Sequence, residues 1–238
     1  MAINKDSNGY TFGFSIALVV VVGVVLSSLA IGLKPRIKAN EAVKKKMDIL
    51  AAIGVESTRK NGEELYSKFV TDSYVISSEG EVKENLPEDK TAIKLDIQNQ
   101  FRDKKIAKED RLYPVFEAEK EGEKVFVLPV VGKGLWGPIW GYLAIADDYK
   151  TIVGASFDHK GETPGLGAEI KQSFFENQFE DEQISQDGEF AEIQVVQNGT
   201  GSEDQKVDGI TGGTITSKGV EEMVNRTMKV YHKYFSKK

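Results

Sequence analysis

The 238-residue sequence contains no cysteine. Disulfides, thiolate metal sites, iron–sulfur clusters and cysteine nucleophiles are therefore excluded. Histidine is nearly as scarce: His159 and His232 are the two, and they lie far apart in sequence. That leaves little material for a histidine-rich metal site or a Ser–His–Asp triad, and no metal ligand set is expected. Lysine and arginine are scattered, the formal net charge is −6, and no basic stripe suited to a nucleic-acid backbone stands out. The chain is nonetheless of foldable composition, with 40% hydrophobic and 29% charged residues. Its length suits one domain or somewhat more.

Charge is absent altogether from Thr11 to Leu33, where Val, Leu, Ile, Phe and Ala dominate. As a helix this stretch reaches about 34 Å, enough to cross the ~30 Å hydrocarbon layer. Lys5 and Asp6 precede it; Lys34, Arg36 and Lys38 follow. A cleaved signal peptide ending near Ser28-Leu29-Ala30 is the competing reading. The length of the run and the stop-like Lys34-Pro35-Arg36 favour a retained single transmembrane helix.

Ala39 to Ile53 reads as a separate short amphipathic helix that Gly54 stops, with Val43, Met47 and Leu50 at helical spacing. Asn61 to Asp110 is polar and weakly periodic, with a helix expected over 90–111 and a loop over 79–90. From Tyr113 onward β-rich runs follow one another: Val115–Ala118, Lys124–Leu128, Ile139–Ile145 and Ile152–Phe157. A helix near Ala168, a strand over 192–197 and a last helix over 218–235 complete the pattern. Strands with helices at the ends predict an α+β class rather than alternating α/β. Three regions result: 1–36, tail and anchor; 37–112, amphipathic helix and variable α+β region; 113–238, the domain expected to carry function.

Gly132-Lys133-Gly134-Leu135-Trp136-Gly137 matches GxGxxG after an apolar strand. A dinucleotide fingerprint must open a helix, but here β-branched and aromatic residues follow, so a glycine-rich hairpin is expected. Gly161-Glu162-Thr163-Pro164-Gly165-Leu166-Gly167 reads as a rigid exposed turn before a helix. Asp208-Gly209-Ile210-Thr211-Gly212-Gly213-Thr214-Ile215-Thr216-Ser217 precedes the last helix. Small residues and hydroxyls at a helix N-terminus suit a phosphate, although no GK[ST] makes this a Walker loop. Ser217 is the expected N-cap. On spacing alone the ordinary readings are favoured: a strand-to-helix loop at Gly161–Gly167 and a capped helix start at Asp208–Ser217.

Taken together these segments resemble the FMN-binding domain family. The family pattern Asp-x-x-(Ser/Thr)-Gly-Ala-Thr-x-(Ser/Thr) is met by Asp208, Thr211, Gly212, Gly213, Thr214 and Thr216, with Gly213 in place of the usual Ala. The pattern Glu-Thr-Pro-Gly-Leu-Gly is complete at Glu162 to Gly167. The resemblance implies FMN held covalently by a phosphoester on Thr214, attached from FAD by a separate flavin transferase. It places Thr211, Gly212, Gly213, Ile215 and Thr216 around the phosphate end. Glu162, Thr163, Gly165, Leu166 and Trp136 fall around the ring, with Thr163 and Leu166 against it. It implies no catalytic acid or base; His159 is read as structural or tuning.

The anchor, Lys46-Met47-Asp48-Ile49-Leu50, and Gly134-Leu135-Trp136-Gly137 with Tyr142-Leu143-Ala144 extend the likeness to single-span members of the family. Those members are electron-relay subunits of a sodium-pumping NADH:quinone oxidoreductase in the bacterial inner membrane. The partners so implied are the other membrane subunits and the transferase, with the soluble part on the periplasmic side. Such a subunit of a translocase oxidises no NADH alone. The alternatives are the G subunit of the related ion-motive electron transport complex, or a non-redox anchored binding module.

Overall fold

The computed structural model describes residues 7–197, 201 and 204–238. Lys5 and Asp6, which flank the apolar run in sequence, lie outside the described residues. Contacts divide the chain into units 1–44 and 45–238. Helix α1 runs Asn8–Ala52 and contains Pro35. The separate helix expected from Ala39 is therefore the continuation of the first. The residues after Pro35 are mostly good helix formers, and no further breaker intervenes before Gly54, which has a positive φ of 68°. In the first unit the side chains of Phe12, Val19, Val24 and Ile31 are exposed. The uncharged part of this helix, Thr11 to Leu33, has no buried face and is long and apolar enough to cross a membrane.

In the second unit, five antiparallel strands form a meander in the order β1-β2-β3-β4-β5. They are β1 (Val70–Ser77), β2 (Leu112–Lys120), β3 (Glu123–Lys133), β4 (Pro138–Ala146) and β5 (Ile152–His159). Alternation sends Phe126, Leu128, Val130, Leu143 and Ile145 into one apolar cluster and Val125, Val127, Tyr142 and Ala144 into another. Both faces are thus covered, so β3 reads as a continuous hydrophobic run instead of alternating. The first face packs against the last helix, α5 (Thr214–Phe235), through Val220, Val224, Met228 and Tyr231. The second packs Ile49, Leu50 and Ala52 from the end of α1. There Lys45 Nζ donates to the carbonyls of Ala92 (3.3 Å), Ile93 (2.7 Å) and Leu95 (3.1 Å). Burial lowers its ammonium to about 8, with Asp96 opposing.

Several expectations are corrected. The 61–110 stretch holds α2 (Gly62–Phe69) and the whole of edge strand β1, whose Thr71, Asp72 and Ser73 face solvent and hide the strand pattern. The helix expected over 90–111 shrinks to α3 (Ile97–Arg102) between two single 3-10 turns. The Asp96 carboxylate starts it by accepting from Asn99 N, and it ends at Asp103. The helix expected near Ala168 is broken into a 3-10 turn at Gly167–Lys171, α4 (Ser173–Glu176) and a 3-10 turn at Asn177–Phe179. Two two-stranded sheets follow: β6 (Ser185–Gln186) with β7 (Glu189–Phe190), and β8 (Gln194–Val196) parallel to β9 (Lys206–Asp208).

Candidate functional site

Antiparallel register brings two of the three glycine-rich segments to one end of the sheet. Lys133 pairs with Pro138 to close the β3–β4 turn, and Ile139 pairs with His159, the last residue of β5. Gly134 N donates to Gly137 O at 2.8 Å, so the GxGxxG match is a hairpin turn and opens no helix. The third segment arrives from β9. Gly209 N donates to Val196 O (2.7 Å), and α5 then starts beside the turn, where a Cβ on Gly219 would lie 2.4 Å from Lys133 O.

Glu162 joins all three. Its side chain is 4% exposed. Trp136 N donates to Oε1 at 2.8 Å, and Thr216 Oγ1 donates to Oε2 at 2.6 Å. Leu135 N reaches Thr216 Oγ1 at 3.4 Å, and Glu162 N donates to His159 Nδ1 at 3.0 Å. Packing around the carboxylate is close enough to dictate glycine: a Cβ on Gly167 would lie 2.5 Å from Thr216 Oγ1 and 2.7 Å from Glu162 Oε2. Because His159 Nδ1 accepts, its proton resides on Nε2, which is buried without a protein partner.

The start of α5 lies four residues earlier than the sequence pattern suggests. Gly213 is the N-cap and offers no side-chain cap; Thr214 is the first helical residue. Ser217 is no cap. It is buried, and its Oγ accepts from Ile210 N at 3.0 Å. The first backbone bond of the helix runs from Ser217 N to Gly213 O, so the N–H groups of Thr214, Ile215 and Thr216 have no intrahelical acceptor. Their partial positive charge suits an anion. Glu221 and Glu222 stand a turn or more further along and are turned elsewhere. Glu221 Oε2 accepts from Val195 N and Lys218 Nζ, and Glu222 pairs with Arg226.

Of the sequence-predicted residues, Thr163, Gly165, Leu166, Thr211, Gly212, Thr214, Ile215 and Trp136 are exposed here, whereas Glu162, Gly213 and Thr216 are buried beneath them. Gly212 takes a φ of +75°, which places Thr211 on one side of the turn and the helix start on the other. A Cβ there would also strike Leu166 Cδ2 at 2.7 Å, so Leu166 closes over this turn. Large apolar side chains stay open around the helix start: Trp136 is 69% exposed, Ile215 60%, Leu135 49% and Leu166 41%. Such a grouping suits a flat apolar ligand. Leu135 was not among the predicted residues; an apolar side chain in a turn flanked by glycines was the available signal.

A family model for the FMN-binding domain matches residues 134–229, a span that begins within the β3–β4 turn and includes the other two segments whole. The chain is 31% identical over 236 residues to the C subunit of the Na(+)-translocating NADH-quinone reductase of Vibrio parahaemolyticus. That match covers 93% of this chain and 90% of the relative. The crystal structure of the C subunit of the same reductase from Parabacteroides distasonis is similar with a TM-score of 0.75 at 36% identity, covering 85% of this chain and 96% of that one. Shewanella oneidensis NqrC shares the fold, with a TM-score of 0.67 at 23% identity over 84% of this chain and 100% of that one.

Proposed function

This chain belongs to the family formed by the C subunits of Na(+)-translocating NADH-quinone reductases, and on that premise we propose that it carries FMN through a phosphoester on Thr214 and relays electrons within the reductase. One observation carries the assignment to Thr214. Of the four hydroxyls in the segment, Thr216 and Ser217 are buried and engaged, whereas Thr211 and Thr214 are exposed, and Thr214 alone of these two is a helical residue at the start of α5. A phosphate on its Oγ1 would meet the amides of the first turn.

The remaining residues fit the same group. Leu135, Trp136, Leu166 and Ile215 offer apolar surface for the isoalloxazine ring, and Thr163 and Gly165 border the same loop. Thr211 and Gly212 turn the chain into the helix; Gly213 and Thr216 hold its first turn against Gly167 and Glu162. When bound, FMN supplies the redox chemistry, and the protein supplies position and surroundings. Esterification removes the dissociation step. Thr214 Oγ1 forms the new bond to phosphorus, the pyrophosphate link of FAD breaks, AMP leaves, and the hydroxyl proton passes to the transferase or to water.

The proposed setting is a bacterial inner membrane, with α1 as the anchor, the other subunits of the reductase as partners, and the second unit on the periplasmic side. Positive charge after the span argues against that side, but the rule weakens when a long domain follows. Reporters fused after Lys238 test orientation: activity confined to a cytoplasmic-type reporter would overturn it. Intact mass and fluorescence of a denatured gel band test the flavin. The wild type coexpressed with its transferase gains the mass of one FMN phosphoester, Thr211→Val retains it, and Thr214→Val folds without it. A fluorescent denatured Thr214→Val band would move the link elsewhere. An unmodified wild type would favour a non-redox binding module.

A further inference from the structure

Well along α5 from Thr214, a cavity of about 20 Å³ lies between α3, β2, β3 and α5. It has room for one water-sized or slightly larger occupant. Two of its lining residues each carry a buried side-chain atom without a hydrogen-bond partner, Arg111 Nε and Thr227 Oγ1, and Thr227 is 3% exposed. Three carbonyls of lining residues are already engaged. Gln100 Nε2 donates to Leu112 O, Tyr231 Oη to Pro114 O, and Arg226 Nη2 to Val131 O. No carboxylate lines the cavity.

Charge points the same way. The guanidiniums of Arg111 and Arg226 sit 5.8 and 4.4 Å from the Phe101 ring centroid. Arg226 is paired with Glu222, whereas Arg111 has no ion pair among the described residues. Burial pushes the Tyr113 phenol up, and Arg111, Arg226 and Lys233 oppose that shift, so three cations act on this one ring. Lys233 is paired with Glu79, so Arg111 is the cation left to attract an occupant that accepts. A water could accept from Arg111 and donate to Thr227 Oγ1 but would leave the Arg111 charge unpaired, whereas an anion accepts from both and pairs that charge.

We propose that this cavity binds one small monoanion of chloride size, bridging Arg111 at the entry to β2 and Thr227 on α5. It would tie the 97–112 segment to the helix that carries Thr214 at its other end. The test uses the full flavinylated chain in detergent. Thermal midpoints are compared in sodium chloride and sodium gluconate at equal ionic strength, and crystals are soaked in sodium bromide. At about ten times its dissociation constant, chloride should raise the midpoint by roughly 3–6 °C for a domain of this size. Thr227→Val keeps the side-chain shape and removes the hydroxyl; it should weaken that rise, and Arg111→Gln should abolish it. An anomalous bromide peak between Arg111 Nε and Thr227 Oγ1 should accompany the rise. Equal midpoints in the two salts overturn the proposal, as does a refined water with no bromide signal. A bromide peak without chloride-dependent stabilisation is binding at crystal concentration only and also counts against it. Flavin content is unchanged throughout, so these outcomes do not depend on the Thr214 assignment.

Discussion

The two ends of α5 are built from opposite materials. At Thr214 the helix meets glycines, hydroxyls and exposed apolar side chains, held by one buried carboxylate. At Tyr231 to Phe235 it meets a closed aromatic cluster. Tyr231 stands edge-on to Tyr113 with centroids 6.0 Å apart. Tyr234 bonds to Tyr74 Oη at 2.7 Å. Phe235 lies 5.3 Å from Phe126 and 5.2 Å from Tyr149. One end fixes the helix through burial and the other keeps its backbone amides and Thr214 open. A site that leaves apolar side chains in water can persist because its helix is anchored some twenty residues away, roughly 30 Å at the helical rise.

The sharpest way to break this contrast is at the closed end. Tyr231→Ala should destabilise the domain by about 3–5 kcal/mol, as truncation of a buried aromatic does, while Tyr231→Phe should cost about 1 kcal/mol by leaving Pro114 O without its donor. Denaturant unfolding measures both, and FMN per folded molecule should stay constant. A selective loss of flavin from folded Tyr231→Phe would show that the ends are coupled.

Glu162→Ala is the corresponding change at the open end. It leaves Trp136 N and the Thr216 hydroxyl without their acceptor, an expected loss of about 2–3 kcal/mol. Unlike Tyr231→Phe it should also lower the fraction of folded chain that becomes flavinylated. Unchanged flavinylation and stability would remove Glu162 from the framework of the site.

Alkaline titration separates the ends without mutation. Burial holds the Tyr231 phenol well above its usual range, and burial together with the Tyr234 hydroxyl raises Tyr74. A raised folded value for an acid that is neutral when protonated means the stabilisation is intact below the unfolded value near 10. It is then lost as pH rises toward the folded value. Between the unfolded and the folded value stability should fall by up to about 1.4 kcal/mol per pH unit for each fully buried phenol. Phenolate absorbance should therefore appear in part only when circular dichroism reports unfolding. All phenols ionising ahead of unfolding would contradict the closed end.

Leu166→Ala should change folding least, by under about 1 kcal/mol, because that side chain is already substantially exposed. The flavin spectrum or midpoint potential should move while the covalent mass increment stays. An identical spectrum and potential would take Leu166 out of the ring surroundings.

Legibility in the sequence followed the same division. The apolar anchor, the β2 to β5 runs and the three glycine-rich segments were all readable, because each carries a local pattern of hydrophobicity or of turn residues. Strand β1 was not. It is an edge strand whose Thr71, Asp72 and Ser73 face water, and its pairing with β2 is decided about forty residues away. The end of α1 was misjudged because Pro35 normally stops a helix, yet this one continues to Ala52.

Within the candidate site, the sequence by itself determined where the glycines and hydroxyls fall, since close backbone approach and helix starts leave residue-type signatures. Tertiary structure alone decided how those residues divide their tasks. Spacing could not show that Glu162 turns inward to bond Thr216 and the turn at Trp136, or that Ser217 is buried against Ile210 N instead of capping α5. The first turns of α5 pack closely on distant parts of the chain, Gly213 and Thr216 on Gly167 and Gly219 on Lys133. Burial depends on what arrives from elsewhere in the fold, and a local pattern carries no record of it.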